Sequence, residues 1–258
     1  MVHAAHIAQG ETVLEIGPGK GVLTKGLLKA GAKVIAVEKD PRSIEYMKEN
    51  FGGEIAAGNL KLIEADILEI SPKELGLEKE NYAVAANIPY YITGEILRKF
   101  LTANDHPSRM VLLVQKEVAK RIVAADGKES ILSISVKAYG EPKYIVTVPK
   151  RSFRPVPSVD SAVIFIDKIS REFFIGGQND KQNIDEKLFF DVVKAGFAHK
   201  RKVLKGNLTK ILPVQALDKL WIDKNWLLGA RAENFSLEHW RDIVKETLFS
   251  TENKENRA

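Results

Sequence analysis

Residues 13–21 read Val13-Leu14-Glu15-Ile16-Gly17-Pro18-Gly19-Lys20-Gly21, and the fold follows from how this stretch is read. A short apolar run bounded by glycines has the pattern of a buried strand entering a tight turn. From Val22 to Lys29 the apolar residues then recur at helical spacing. Strand, glycine turn and helix together make a cradle for a nucleotide, because glycine lets the backbone approach a ligand closely. Lys33-Val34-Ile35-Ala36-Val37-Glu38-Lys39-Asp40 is a second apolar strand that ends in an acid. Glu38 follows the first glycine by about twenty residues, the separation expected of an acid that binds ribose hydroxyls. A solvated strand end accounts for Glu38 taken alone, and a nicotinamide-cofactor fold shares this geometry.

The alternation continues along the chain. Leu60 to Asp66 is expected as a third strand, Tyr82 to Ala86 as a fourth and Arg109 to Val114 as a fifth. Helices fill the gaps, notably Glu95 to Leu101 and Lys116 to Ala124. This pattern specifies an α/β fold, a Rossmann-like parallel sheet covered on both faces. Ligands of such sheets bind beyond the carboxyl ends of the strands, where Gly17, Glu38, Asp66 and Asn87 all fall. Tyr144 to Val148 and Ser161 to Ile166 have strand composition without a helix between them, so an antiparallel hairpin is expected at the sheet edge. At the start, Val2 to Gly10 reads as the end of a helix with Gly10 as its left-handed cap. His3 and His6 lack the further ligands of a zinc site, and no metal is expected.

Two further stretches carry chemistry. In Ala86-Asn87-Ile88-Pro89-Tyr90-Tyr91, the Asn side chain offers an amide oxygen, Pro stiffens the turn and the Tyr ring offers a flat face. Such a site suits a planar amino group such as the exocyclic amine of adenine; an ordinary strand-to-loop corner with a buried Tyr is the competing interpretation. The second stretch runs from Pro149 through Lys150, Arg151, Ser152, Phe153, Arg154 and three prolines in all to Asp160. Its prolines hold the loop extended, Phe153 supplies an aromatic tip, and the cations face an anion. Phe153 as a core plug beneath a rigid loop is the plainer alternative.

Composition allows this design. A chain of 258 residues is long enough for a sizeable core in one large or two modest domains. The absence of cysteine excludes disulfide and thiolate chemistry and accords with a cytoplasmic location. No apolar run approaches a membrane helix, no secretory signal is visible, and no membrane association is expected. A formal charge of +5 weakly favours an anionic partner.

The motifs Glu15 to Gly21, Asn87-Ile88-Pro89-Tyr90 and Phe153 to Val163 resemble the ribosomal RNA adenine dimethyltransferase family. Gln115 to Arg121, Phe197 to Leu204 and Arg231-Ala232-Glu233-Asn234 match as well, so the resemblance spans nearly the whole chain. Within the family, the proline-rich loop and basic helical tail are similar to the bacterial small-subunit enzymes. The macrolide-resistance methyltransferases of large-subunit rRNA are the nearest alternative. The resemblance implies a class I fold and methyl transfer from S-adenosylmethionine to N6 of two adjacent adenosines near the small-subunit rRNA 3′ end. It implies that Glu15, Gly17, Gly19 and Gly21 form the cofactor loop and Glu38 holds the cofactor ribose. Asp66 and Ile67 contact the adenine, and Asn87 lies by the transferable methyl group. Tyr90 and Phe153 flank the target base. The implied partner is small-subunit rRNA in a pre-30S particle, met by a monomer. Relatives also carry an upstream segment with a Gln-x-Phe-Leu stretch, which this sequence is expected to lack; the fold is expected to survive, with cofactor affinity and activity left open. That expectation keeps a different class open, a catalytically impaired ribosome-assembly binding factor. A nicotinamide-dependent dehydrogenase is a third class, disfavoured by the Asn-Ile-Pro-Tyr and proline-rich motifs.

From about Asp185 onward the pattern changes. Residues 1–168 are assigned to the methyltransferase domain, 169–184 to a linker containing a Gly176 to Asp180 turn, and 185–258 to a helical RNA-binding domain. In the last of these, Lys200, Arg201, Lys202 and Lys205 are candidates for RNA phosphates, as are Lys150, Arg151 and Arg154 in the proline-rich loop. A solvated helix face is the other account of the later cluster. The polar tail from Ser250 is expected to be disordered.

Overall fold

The computed structural model describes residues 1–175 and 183–255. The expected turn at Gly176 to Asp180 lies outside the described residues. Two compact units are present, one of Met1–Ala119 with Gly140–Ser170, the other of Lys120–Tyr139 with the chain from Arg171 onward.

The first unit is built on β1 (Thr12–Ile16), β2 (Lys33–Glu38), β3 (Leu60–Glu64), β4 (Ala83–Asn87), β5 (Arg109–Gln115), β6 (Glu141–Val148) and β7 (Ser161–Asp167). These form one sheet in the order β3-β2-β1-β4-β5-β7-β6. The first five strands are parallel, and β7 runs antiparallel to both β5 and β6. The closing hairpin is thus present, with β7 inside and β6 at the edge. Near-continuous apolar strands fit a sheet buried on both faces: Val13, Leu14, Ala86, Val111 and Leu112 are all buried. α1 (Val22–Lys29), α2 (Pro41–Asn50) and α3 (Gly52–Ala56) lie in the crossovers joining β1, β2 and β3, and α4 (Thr93–Leu101) in that joining β4 and β5. α2 opens on Asp40, whose side chain accepts from the Arg42 N–H, with Pro41 at the first helical position. β1 is flanked by β2 on one side and β4 on the other, so the order reverses at its carboxyl end. That reversal is where open α/β sheets bind ligands.

The start of the chain differs from its sequence reading. Instead of a helix end, His3–Ala5 form one 3-10 turn, closed when His6 adopts φ 48° and donates to the His3 carbonyl. The Ala5 N–H is shared between the Met1 and Val2 carbonyls, and it is the Val2 and His3 bonds that close at the tighter spacing. Gly10 takes φ 77° as a turn rather than as a helix cap, its N–H donating to Gly31.

In the second unit, α6 (Ile131–Lys137) is started by a reciprocal capping box between Ser130 and Ser133. It belongs with α7 (Glu186–Phe197), α8 (Leu204–Leu208), α9 (Val214–Asp223) and α10 (Leu237–Glu255). Phe189, Val192, Val193, Leu204, Leu208, Trp240, Ile243 and Val244 form its buried interior. The unit boundary therefore differs from the sequence division, which left residues 120–139 with the methyltransferase domain. α5 (Lys116–Val123) contains the division point. α10 runs to Glu255, so Ser250 to Glu255 are helical rather than a disordered tail. Glu and Lys are good helix formers and extend a helix anchored by Trp240, Ile243 and Val244. The final three residues lie outside the described ones. Among the described residues no helix is long and apolar enough to cross a membrane. Nor does any group of three or more His, Cys, Asp or Glu side chains among them offer a metal site.

Candidate active site

The register of four parallel strands brings the expected cofactor residues to one edge. Ile16 pairs with Val37 on one side and Ala86 on the other, and Glu38 pairs with Glu64. Gly17 thus follows β1, Glu38 ends β2, Asp66 lies just past β3, and Asn87 ends β4. Backbone bonds extend the alignment beyond the strands: Gly17 N–H donates to Val37 O at 2.9 Å, and Ala65 N–H to Glu38 O at 3.0 Å.

The three glycines divide their work. Gly17 and Gly19 adopt φ 64° and 55°, and a Cβ on either would meet nothing within 4 Å. Their backbone therefore faces open space that a ligand can enter. Gly21 adopts φ 73°, but a Cβ there would sit 2.5 Å from the Phe51 ring and 2.7 Å from Met47 Sδ. It shapes the loop by close packing at the start of α1 rather than by ligand approach, the third-glycine role in such loops.

The acids are already engaged. Glu38 Oε2 accepts from Gly19 N–H at 3.1 Å, while Oε1 accepts from the N–H groups of Lys39 and Asp40 at 2.8 and 2.9 Å. A carboxylate has about four acceptor positions, so Glu38 retains capacity for a hydroxyl donor and ties the glycine loop to β2. Asp66 accepts from Lys39 Nζ at 2.7 Å and from Leu68 N–H at 2.9 Å. These bonds hold its carboxyl below the usual range, with Lys39 the larger cause. Ile67 beside it is buried. Glu15 is also buried, with Thr24 Oγ1 donating to its Oε2 at 2.6 Å. Burial pushes its carboxyl up to about 7 against the lowering effect of the Thr24 bonds. Two acceptors at the ends of β2 and β3, beside an open glycine turn, suit a nucleoside's hydroxyls and exocyclic amine. This set of acceptors therefore fits S-adenosylmethionine.

Asn87 is exposed at the end of β4, whereas Ile88 is buried and its N–H donates to Leu113 O at 3.2 Å. Tyr90, in a 3-10 turn, is half-buried and its hydroxyl is 2.9 Å from Ser161 Oγ on β7. Phe153 is half-buried against the cluster of Ala5, Val111, Leu113, Val163 and Phe165. It thus has a packing role at its base in addition to any contact at its tip. Lys150, Arg151 and Arg154 are exposed; the Lys150 N–H donates to Asp160, and Arg154 Nη1 to the Phe153 carbonyl. In the helical unit, Lys200, Arg201 and Lys202 are exposed, but Lys205 is largely covered and ion-paired with Asp218. Sequence reasoning missed Thr24, Lys39 and Ser161. Thr24 had a signal, a hydroxyl within the apolar spacing of α1; Ser161 had none, because its partner is 71 residues away.

Residues 1–248 match the family described as ribosomal RNA adenine dimethylase. A ribosomal RNA small subunit methyltransferase A from Dehalococcoides mccartyi is 39% identical over 94% of this chain and 81% of its own length. One of the same name from Fusobacterium nucleatum is 35% identical over 95% of this chain and 89% of its own. Among solved structures, a dimethyladenosine transferase from Plasmodium falciparum superposes with a TM-score of 0.75 at 25% identity, covering 95% of this chain and 92% of that one. The 23S rRNA methyltransferase ErmE superposes equally, TM-score 0.75, at 24% identity over 95% of this chain and 94% of its own, a likeness of fold. A class I methyltransferase sheet, its glycine loop and a family match over nearly the whole sequence lead to one conclusion: this chain belongs to the ribosomal RNA adenine dimethylase family.

Proposed function

We propose that this chain transfers methyl groups from S-adenosylmethionine to N6 of two adjacent adenosines near the 3′ end of small-subunit rRNA. The product is N6-dimethyladenosine, and the step contributes to small-subunit biogenesis. The observation that carries the proposal is an exposed Asn87 at the end of β4, beside Tyr90 and on the same sheet edge as Glu38 and Asp66. The small-subunit names of the relatives at 35–39% identity favour this target over the large-subunit one.

S-adenosylmethionine supplies a methyl group already activated by its sulfonium, so the protein's task is alignment. Gly17 and Gly19 give close backbone approach, Glu38 takes the ribose hydroxyls, and Asp66 with Ile67 takes the adenine. The N6 lone pair of the target adenine is delocalised into its ring and is a poor nucleophile. Asn87 Oδ1 and the Ile88 carbonyl accept from N6–H and favour a localised lone pair aimed at the methyl group. A paired base cannot reach such a pocket, so the adenosine must be unpaired or flipped. Tyr90, pinned through Ser161, and Phe153 flank it, and stacking contributes about 1–3 kcal/mol per base. Lys150, Arg151 and Arg154 meet RNA phosphates, as do Lys200, Arg201 and Lys202. The partner is rRNA in a pre-30S particle, and the enzyme acts as a monomer in the cytoplasm.

The test is Asn87→Ala. The exposed side chain is expendable for folding, so the variant should melt as the parent does and bind S-adenosylhomocysteine, yet transfer methyl groups at least a hundredfold more slowly, in the range of a lost stabilising donor or acceptor. Near-parental turnover in the folded variant removes Asn87 from the mechanism.

A further inference from the structure

One buried polar pair spans the glycine loop. Glu15 is the penultimate residue of β1 and Thr24 the third of α1, so residues 17–21 lie between them. Glu15 is 1% exposed and Thr24 0%, which removes both from direct contact with a ligand. Thr24 Oγ1 donates to Glu15 Oε2 at 2.6 Å, and the Thr24 backbone N–H favours the charged form of the same carboxyl. That N–H is among the first-turn donors of α1, which lack helical partners. The N-cap of α1 is Gly21, which has no side chain to offer these donors. Glu15 therefore joins β1 to α1 across the turn through the Thr24 side chain.

A buried carboxylate is costly unless it is hydrogen-bonded. The rest of β1 is apolar apart from Thr12 at its edge, and the residues opposite Glu15 are Ala36 and Ala85. Those neighbours offer it no side-chain donor, which leaves Thr24 to satisfy it. The other ionisable group acting on Glu15 is Glu38, whose charge opposes ionisation. Glu38 itself holds the Gly19 N–H. The glycine loop is thus tied at its middle by Glu38 and at its ends by Glu15 with Thr24.

We infer that Thr24 is a positioning residue for methyl transfer, setting the conformation of the cofactor loop through Glu15 without touching the cofactor. This rests on the assignment of that loop to S-adenosylmethionine and recasts Glu15 from a ligand contact into a strut. The strut is strongest when Glu15 is ionised, because a protonated carboxyl gives up part of its acceptor capacity to Thr24. Its carboxyl exchanges protons near pH 7, so the loop is braced above neutrality and relaxed below it.

The experiment follows the amide resonances of Gly17 and Gly19 in 15N-labelled, ligand-free protein from pH 5.5 to 8.5. S-adenosylhomocysteine affinity is measured by calorimetry in the same series, and melting curves check folding. In the parent, the glycine amides should shift with a midpoint near 7 and affinity should rise through it; Glu15→Gln should remove that transition. Thr24→Val, which keeps the shape and loses the donor, should move the midpoint up by about a unit and weaken binding about tenfold at pH 7.5, as expected for a lost bond to a charged group. Thr24→Ser should restore both. Amides that stay flat through this range, or a folded Thr24→Val with parental midpoint and affinity, overturn the inference. Amides that shift as expected in a parent that does not bind S-adenosylhomocysteine overturn the cofactor assignment, while the link between Thr24 and the loop stands.

Discussion

Replacing Gly21 and Gly19 separately by alanine should damage the protein in different ways. Both residues have positive φ, 73° and 55°, where an L side chain costs about 1–2 kcal/mol. At Gly21 the new methyl group would also lie 2.5 Å from the Phe51 ring and 2.7 Å from Met47 Sδ. Both neighbours are buried, Phe51 at 8% and Met47 at 0% exposure, so the new methyl group must displace packed side chains. Overpacking of this kind costs about 1–3 kcal/mol. Gly21→Ala should therefore lose about 2–5 kcal/mol of stability, and Gly19→Ala only about 1–2 kcal/mol from backbone strain. The order reverses for ligand binding per unit of stability lost. The methyl group at Gly19 enters open space that the cofactor is expected to fill, so affinity for S-adenosylhomocysteine should fall at least tenfold in a protein that remains folded. Urea unfolding of the ligand-free variants and calorimetric titration separate the two effects. Equal destabilisation by both substitutions, or parental affinity in Gly19→Ala, would refute the division of labour among the glycines.

Three other outcomes follow from the same geometry. Tyr90→Phe removes the hydroxyl link to Ser161, worth about 1 kcal/mol, so kcat should fall about fivefold with cofactor affinity unchanged; Ser161→Ala should match it, and steady-state kinetics showing full kcat in both would count against pinning of the ring. Burial raises the Glu15 carboxyl from 4.5 to about 7. The native state therefore holds this proton over that interval while the unfolded chain releases it, and stability contributed by the group is full below pH 4.5 and lost as pH rises through 7. A shift of this size amounts to roughly 3 kcal/mol, so the stability difference between Glu15→Gln and the parent should change by about that much across the interval in denaturant titrations. No change would contradict a buried, titrating Glu15. Finally, replacing Lys200, Arg201 and Lys202 together by alanine should lower the salt slope of binding to a single-stranded rRNA fragment by about 2, three phosphate contacts at about 0.7 each. Lys205→Ala, which breaks only an ion pair with Asp218, should leave the slope unchanged; equal slopes in all three proteins would remove the cluster from the RNA interface.

The parallel sheet was legible because its signals are local. Val13 to Gly21 contains a strand, its terminator and the conformational need for glycine within a few residues, and Lys33 to Asp40 repeats the pattern with an acid at its end. Equivalent strand ends then placed Gly17, Glu38, Asp66 and Asn87 together without any knowledge of contacts. What stayed hidden depends on distant partners. Ser161 meets Tyr90 across 71 residues, and nothing around Ser161 marks it as a hydrogen-bond partner for a motif tyrosine. Gly21 and Gly19 look alike in sequence, and only Phe51 and Met47, brought back by α2, tell packing from ligand approach. Lys205 appeared to continue the basic run from Lys200, but Asp218 on α9 takes it. Residues 120–139 lie in sequence between β5 and β6 yet group with the helical unit, an association set by folded contacts such as the Glu129 N–H to Glu233 O bond. The 3-10 turn at His3–Ala5 was misread because a short run of helix-compatible residues does not distinguish the two closures.

The most direct test of the central claim is to incubate this chain with labelled S-adenosylmethionine and unmethylated ribosomal subunits, then map the label by mass spectrometry. The account predicts N6-dimethyladenosine at two adjacent positions near the 3′ end of small-subunit rRNA. Label confined to large-subunit rRNA, or tight binding to small subunits without any transfer, would contradict it.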